Sequence, residues 1–399
     1  MTGFTPASPA AAASPVPPAS LLSLGLLANS SMENERRLPI HPRHLDQIDP
    51  DLRARMIVER GYGQDFQLEP GYLESRVGTV AERAEVIDAA DVLLLPKPQA
   101  EDVEAMPAGR VLWGWPHCVQ DAAMTQTAID GRLTLIAFEA MQHWTRRGDF
   151  SLHVFHMNNE LAGYCSVIHA TSLIGSTGDY GPRLSAVVIG FGATARGAVT
   201  ALKAHGIHDI QVLTQRGATA VGSPIHSAHI AQLNTDGGPT HLSTVLTPDG
   251  DVLLPEFLAS HDIVVNCTLQ DVSAPLTYLR NEDLDLFAPG SLIIDVSCDA
   301  GMGFEWPKPT TFGEPMFTVG RGVNYYAVDH TPSYLWNSAT WEVSGAILPF
   351  LRTVMEGPAA WAKNLTISRA IEIHNGVIQN HSILDFQDRE PVYPHRRSA

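Results

Sequence analysis

The chain has 399 residues, enough for two domains of common size, and a hydrophobic content of 44% argues for packed cores and against global disorder. Its formal net charge of −17 argues against a nucleic-acid partner, because such proteins are usually basic. Four dispersed cysteines, Cys118, Cys165, Cys267 and Cys298, form no CxxC pair, which argues against a disulfide framework or a zinc site and fits a reducing cytoplasm.

Residues 1–20 are rich in Ala, Pro and Ser and read as a flexible tail. They carry no basic residue of the kind that opens a secretory signal. No apolar run reaches the roughly 18 residues that a membrane span needs. The first third then alternates short apolar runs with polar helical stretches. The runs are 23–28 (SLGLLA), 56–58 (MIV), 91–95 (DVLLL), 111–115 (VLWGW) and 133–138 (LTLIAF), with a helix expected over 80–89. Such alternation predicts an α/β unit with a mainly parallel sheet. Ligands collect beyond the carboxyl ends of such strands. Lys97, His117 and Glu139 each follow a run, and Arg37 lies shortly after the first. Each alone reads more readily as a solvated side chain. Their recurrence at several strand ends marks a site.

Residues 157–176 predict a long helix rich in small residues, read either as an inter-domain brace or as a core helix. Next comes 184–189 (LSAVVI), a buried strand followed at once by GFGATARGAVTALKAHG. Gly190 and Gly192 form a Gly-x-Gly turn, Ala193 and Thr194 continue it, and Ala195 takes the third small position of a dinucleotide fingerprint. The first glycine makes the turn, the second admits the pyrophosphate, and the third small residue lets the helix pack on the strand. The following strand, 211–214 (QVLT), ends in Thr214, Gln215 and Arg216 without the acid that usually holds the ribose of NAD. Arg216 suits a 2′-phosphate, so the cofactor expected is NADP, although a solvated loop arginine would read the same way.

Strands are expected at 263–267 and 292–296, the second leading through SCDAGMGFE to Asp299. A strand at 324–328 precedes a helix expected over 333–351, and Asn375-Gly376 between apolar residues predicts a hairpin. The fold class expected is α/β, with two Rossmann-like domains built on parallel sheets. The nucleotide-binding domain, 161–332, is inserted into a discontinuous substrate domain of 21–160 and 333–399.

The ordered motifs ENERRLPIHP, LLLPKPQ, GWPH, AFEAM, VIGFGATARGA, IIDVSCDAGMGFE and YAVDHTPSYLWNSATWEVS resemble the alanine dehydrogenase and pyridine nucleotide transhydrogenase superfamily over residues 22 to about 355. Within it, the chain is most similar to carboxyethyl-ornithine synthases, which join pyruvate to an amino-acid amine with NADPH. The resemblance implies that Arg37 and Lys97 hold the carboxylate and 2-oxo oxygen and that His117 is the acid–base residue. It also implies that Glu139 lies near the substrate and that Asp299 is the pocket aspartate of the nucleotide domain. Two departures stand out: Gln215-Arg216 replaces the acid typical of NAD-linked alanine dehydrogenases, and the final segment runs past their usual end.

The function expected is NADPH-dependent reductive condensation of a pyruvate-like 2-oxo acid with the amine of an amino acid such as ornithine or lysine. A cytoplasmic homo-oligomer with small-molecule partners, and no nucleic-acid, membrane or metal partner, completes the expectation. Alanine dehydrogenase, saccharopine-type dehydrogenase and a non-catalytic NADP sensor are the alternatives. The sensor has no use for a proton-shuttling histidine.

Overall fold

A computed structural model describes residues 21–215, 225, 228–235, 243–268, 270, 276–298 and 302–397, and gathers their strands mainly into two large sheets. The apolar runs of the first third become strands because both of their faces are covered. Leu24, Leu26, Val92 and Leu94 pack into one core, while Leu27, Leu93, Leu95 and Leu112 pack into another on the opposite side. Strands buried on both faces need no polar alternation, which is why these runs read as continuous apolar segments.

From edge to edge the first sheet runs Val377–Ile378, Ile371–His374, Thr134–Ala137, Val111–Gly114, Val92–Leu94, Leu24–Leu26, Met56–Glu59 and Thr79–Ala81. The strands from the first third are parallel to their neighbours. The C-terminal hairpin adds antiparallel at the Thr134–Ala137 edge. Asn375 and Gly376 turn it with φ of 50° and 80°, the left-handed pair that a two-residue hairpin needs. Leu24–Leu26 pairs with Met56–Glu59 on one side and Val92–Leu94 on the other, so the chain order reverses there. A crevice forms at such a reversal.

The second sheet runs Gly250–Leu253, Thr244–Thr247, His229–Asn234, Asp209–Thr214, Ser185–Ile189, Ile263–Asn266, Leu292–Asp295, Val323–Tyr326 and Met316–Val319. Its order reverses between Ser185–Ile189 and Ile263–Asn266. The helix His156–Leu173 lies against the helix Ala193–Ala204, with backbone touching backbone. A Cβ on Gly163 would stand 2.0 Å from the Thr194 carbonyl oxygen, and one on Gly197 would stand 1.8 Å from that of Glu160. The small residues that marked this helix therefore serve close helix–helix approach.

Two expected helices differ. Thr79–Ala81 is an edge strand, and the helix starts only at Arg83, where Glu82 and Glu85 form a capping box. The stretch after residue 330 is not one helix but a chain of 3₁₀ and α turns: Thr331–Leu335, Trp336–Ile347, Leu348–Phe350 and Leu351–Met355. Pro349 falls in the 3₁₀ turn that follows Ile347, where its missing N–H breaks the α ladder, whereas Pro332 sits in a first turn that needs no N–H. The hairpin of Gln142–Trp144 and Phe150–His153 was not anticipated. No helix among the described residues is long and apolar enough to cross a membrane.

Candidate active site

The glycine turn leads into the N-terminus of Ala193–Ala204. Gly190 has φ of +115°, and a Cβ there would lie 3.0 Å from the Cys267 carbonyl oxygen, so a side chain is excluded on two counts. Gly192 is different: an added Cβ meets nothing within 4 Å, so the space over it is open. Gly192 is the N-cap residue, and no side chain caps the helix. Backbone N–H groups at an uncapped helix N-terminus suit an anion, so this turn fits a dinucleotide pyrophosphate. Ala195 is fully buried, which allows the helix to pack on the sheet. Thr214 is buried at the end of the neighbouring strand and Gln215 beside it is exposed. Arg216 and Asp299 lie outside the described residues.

The strand ends of the first sheet carry a dense charged cluster. The Arg37 side chain is buried, and its Nε and Nη2 fork onto both carboxylate oxygens of Glu35, with Nε–Oε1 at 2.9 Å. Its Nη1 donates to Asn158 Oδ1 at 3.2 Å, and its guanidinium stacks over Trp115 with 5.1 Å to the ring centroid. Burial pushes the Glu35 carboxyl up, but Arg37 overrides this and holds it below its usual range. Arg37 is therefore a fixed cation, and its direction is set by an internal carboxylate and an aromatic face.

Trp115 leads directly to His117, whose φ of +48° is unusual for a residue with a Cβ. The His117 N–H donates to Glu139 Oε1 at 2.8 Å. Burial, then the positive charges of Lys97 and Arg37, lower the His117 pKa to about 3, against the pull of Asp329. The imidazole is thus neutral at pH 7. Glu139 Oε2 is buried and has no hydrogen-bond partner among the described residues. Burial and the nearby Glu372 carboxyl push the Glu139 pKa well up, favouring the protonated form. A buried anionic Glu139 would face an uncompensated desolvation cost.

Lys97 Nζ donates to Asp329 Oδ2 at 2.9 Å, and Asp329 Oδ1 lies 2.5 Å from His330 Nδ1. Burial pushes the Asp329 carboxyl up, but its bonds with His330 and Lys97 carry it far below the usual range. Lys97 follows a strand of the first sheet, and Asp329 follows one of the second, so this ion pair bridges the two. His330 Nε2 meets the Glu33 carbonyl at 2.8 Å, and Ser333 Oγ donates to the Asn34 carbonyl at 2.6 Å. These contacts seat the 331–335 turn against the segment that carries Arg37. Beside Glu35, a cleft of about 400 Å³ opens over the ends of the first two strands, lined in part by Asn29, Arg36, Glu59, Arg60 and Phe66.

Arg37, Lys97, His117 and Glu139 therefore share one electrostatic neighbourhood. Two members were missed from sequence. Asp329 lies in the quoted motif YAVDHTPSYLWNSATWEVS and follows a strand, the same signal that singled out Lys97 and His117. Glu35 stands two residues before Arg37, but spacing alone does not reveal a buried fork.

Two family models match the chain: Alanine dehydrogenase/PNT, N-terminal domain, over residues 26–162, and Alanine dehydrogenase/PNT, C-terminal domain, over residues 185–381. Among curated relatives, an alanine dehydrogenase of Halomonas elongata is 26% identical over 340 residues, covering 80% of this chain and 83% of that protein. Alanine dehydrogenase 2 of Staphylococcus aureus is 24% identical over 364 residues, covering 90% and 94%. Among solved structures, an L-alanine dehydrogenase superposes with a TM-score of 0.72 at 16% identity, covering 92% of this chain and 99% of that one. A transhydrogenase from Sinorhizobium meliloti gives 0.66 at 21% identity, covering 90% and 98%. The chain belongs to the alanine dehydrogenase/PNT family and is an oxidoreductase that uses a nicotinamide nucleotide.

Proposed function

We propose that this protein uses NADPH to condense a pyruvate-like 2-oxo acid reductively with the amine of an amino acid, giving an N-(carboxyalkyl) amino acid. The observation that carries the reading is the placement of a neutral, half-buried His117 at the strand ends within the fields of Arg37 and Lys97. The likeness of GWPH, IIDVSCDAG and HTPSYLWNSATWEVS to carboxyethyl-ornithine synthases supports it.

The chemistry follows from the charges. A 2-oxo acid binds with its carboxylate on the remaining N–H donors of Arg37 and its keto oxygen toward Lys97. Its negative charge offsets the two cations and so raises the proton affinity of His117. Neutral His117 then takes a proton from the incoming ammonium, freeing the amine for attack, and returns it as the carbinolamine loses water. Asp299 stabilises the cationic imine. The nicotinamide, when bound, supplies the hydride that reduces it. Within this reading, 161–332 form the NADP domain, 21–160 with 333–399 form the substrate domain, and the protein works as a cytoplasmic homo-oligomer.

The test is an NADPH-consumption assay with pyruvate paired in turn with ammonia, ornithine, lysine and other amines, and products identified by mass. An N-(carboxyethyl) amino acid is expected. Alanine as the sole product makes the protein an alanine dehydrogenase, and no consumption with any pair favours the sensor.

A further inference from the structure

The segment beyond the C-terminal hairpin is the part of the chain that the family likeness left without a role. It returns to the loop that carries His117. Gln387 follows the helix His381–Phe386 and is 4% exposed. Its Nε2 donates to the Cys118 carbonyl at 2.6 Å, with the Val119 carbonyl at 3.2 Å. Thr125 Oγ1 donates to the same Cys118 carbonyl at 2.8 Å. The Gln387 amide has one permitted orientation. Arg389 Nε donates to its oxygen at 2.7 Å, and because arginine only donates, the amide NH₂ must face the loop.

Arg389 is itself buried and tied down. It donates to Gln126 Oε1 at 2.9 Å and to the His395 carbonyl at 3.1 Å. His395 Nε2 accepts from the Ile378 N–H of the edge strand at 3.1 Å. The 387–397 segment is thus anchored to the sheet at one end and grips the residues just after His117 at the other. Glu139 takes the His117 N–H, and the His117 carbonyl accepts from the N–H groups of Gln120 at 3.1 Å and Asp121 at 2.9 Å. A non-glycine residue at φ of +48° persists only where its surroundings over-determine it, and the Gln387 amide adds to these contacts a hold on the two residues that follow.

We propose that Gln387 is a positioning residue for His117, acting through the 118–119 carbonyls, and that residues 387–397 form the clamp that holds it. The proposal rests on the reading of His117 as the acid–base group. Displacing a reacting group by about 1 Å can lower the rate roughly 10²-fold, so a loop held this way matters for turnover beyond its part in stability.

Full-length Gln387→Met, which removes the amide, and Gln387→Glu, which keeps the acceptor for Arg389 but loses both donors, test it beside wild type, His117→Ala and the His117→Ala/Gln387→Met double variant. Hydrogen–deuterium exchange over residues 117–121 should rise in both Gln387 variants, with NADPH affinity within about twofold of wild type. With the substrate pair found in the NADPH assay, kcat should fall by about ten- to a hundredfold, and KM for the 2-oxo acid should move less. In the double variant, Gln387→Met should add little to the loss caused by His117→Ala. Unchanged exchange overturns the proposal, as does a Gln387 effect that multiplies in full with that of His117→Ala. Near-normal turnover of His117→Ala sinks the acid–base reading and this proposal with it. Slow His117→Ala beside unimpaired Gln387 variants sinks the proposal alone.

Discussion

The carboxyl ends of the two sheets solve opposite problems. At the second sheet, the Gly190–Gly192 turn presents backbone and open space, and a Cβ at Gly192 would touch nothing. At the first, every named group is already engaged: Arg37 with Glu35, Lys97 with Asp329, and the His117 backbone with Glu139. A site that must admit a large anion is prepared by the absence of side chains. A site that must move protons is prepared by charges that hold one another in place. The first kind tolerates little added bulk, and the second tolerates little loss of charge.

The largest effect should come from unbalancing the first cluster. Glu35→Ala strands the Arg37 guanidinium in a buried position, and breaking a buried pair in this way costs about 3–5 kcal/mol. Urea unfolding should show the midpoint fall by that equivalent, while an unchanged midpoint would mean that Asn158 and Trp115 suffice to hold the charge. Next is His117→Ala. Turnover should fall by roughly 10² or more, as for losing a general acid–base group, with NADPH binding nearly intact because the glycine turn belongs to the other sheet. Lys97→Ala, by contrast, should also raise KM for the 2-oxo acid.

The nucleotide side calls for finer measurements. Arg216→Ala should weaken NADPH binding by about 1.5–3 kcal/mol and leave NADH binding little changed, the cost of one charge-assisted contact. Equal wild-type affinity for NADH and NADPH, read by fluorescence titration, would remove the 2′-phosphate reading. Gly192→Ala should leave stability within about 0.5 kcal/mol, since its Cβ is unopposed, yet weaken the dinucleotide. A stability loss with unchanged nucleotide binding would invert the contrast drawn between the two strand ends.

The last effect is on acid tolerance. His117 has its folded pKa lowered to about 3 from an ordinary 6.5. The unfolded chain therefore binds the proton more readily between those values, and stability falls as pH drops from about 6.5 toward 3. Replacing His117 with Asn should flatten that part of the stability–pH curve, measured by denaturant unfolding across the range. A parallel curve would mean that the imidazole is not shielded from water.

Much of the frame was legible because it depends on local pattern. Apolar runs of three to six residues bounded by polar helices mark buried parallel strands, and Gly-x-Gly between strand and helix marks the turn. The end of the α-helix at Ile347, ahead of the expected 351, was signalled by Pro349, whose consequence the apolar spacing masked. Thr79–Ala81 was absorbed into the neighbouring helix because a short edge strand has no periodicity of its own.

By itself, the sequence determined where chemistry-bearing residues fall relative to strands, since that is a one-dimensional relation between hydrophobic runs and the residues that end them. It also determined the family, through motifs kept in order along the chain. Only the tertiary structure decided who partners whom. Lys97 meets Asp329 across 232 positions, and Gln387 meets Cys118 across 269. It also decided the charge states: His117 is neutral and Glu139 favours its protonated form because partial removal from water and particular charged neighbours act on each. Desolvation and long-range ion pairing depend on distances in space, and neighbouring letters do not carry those distances.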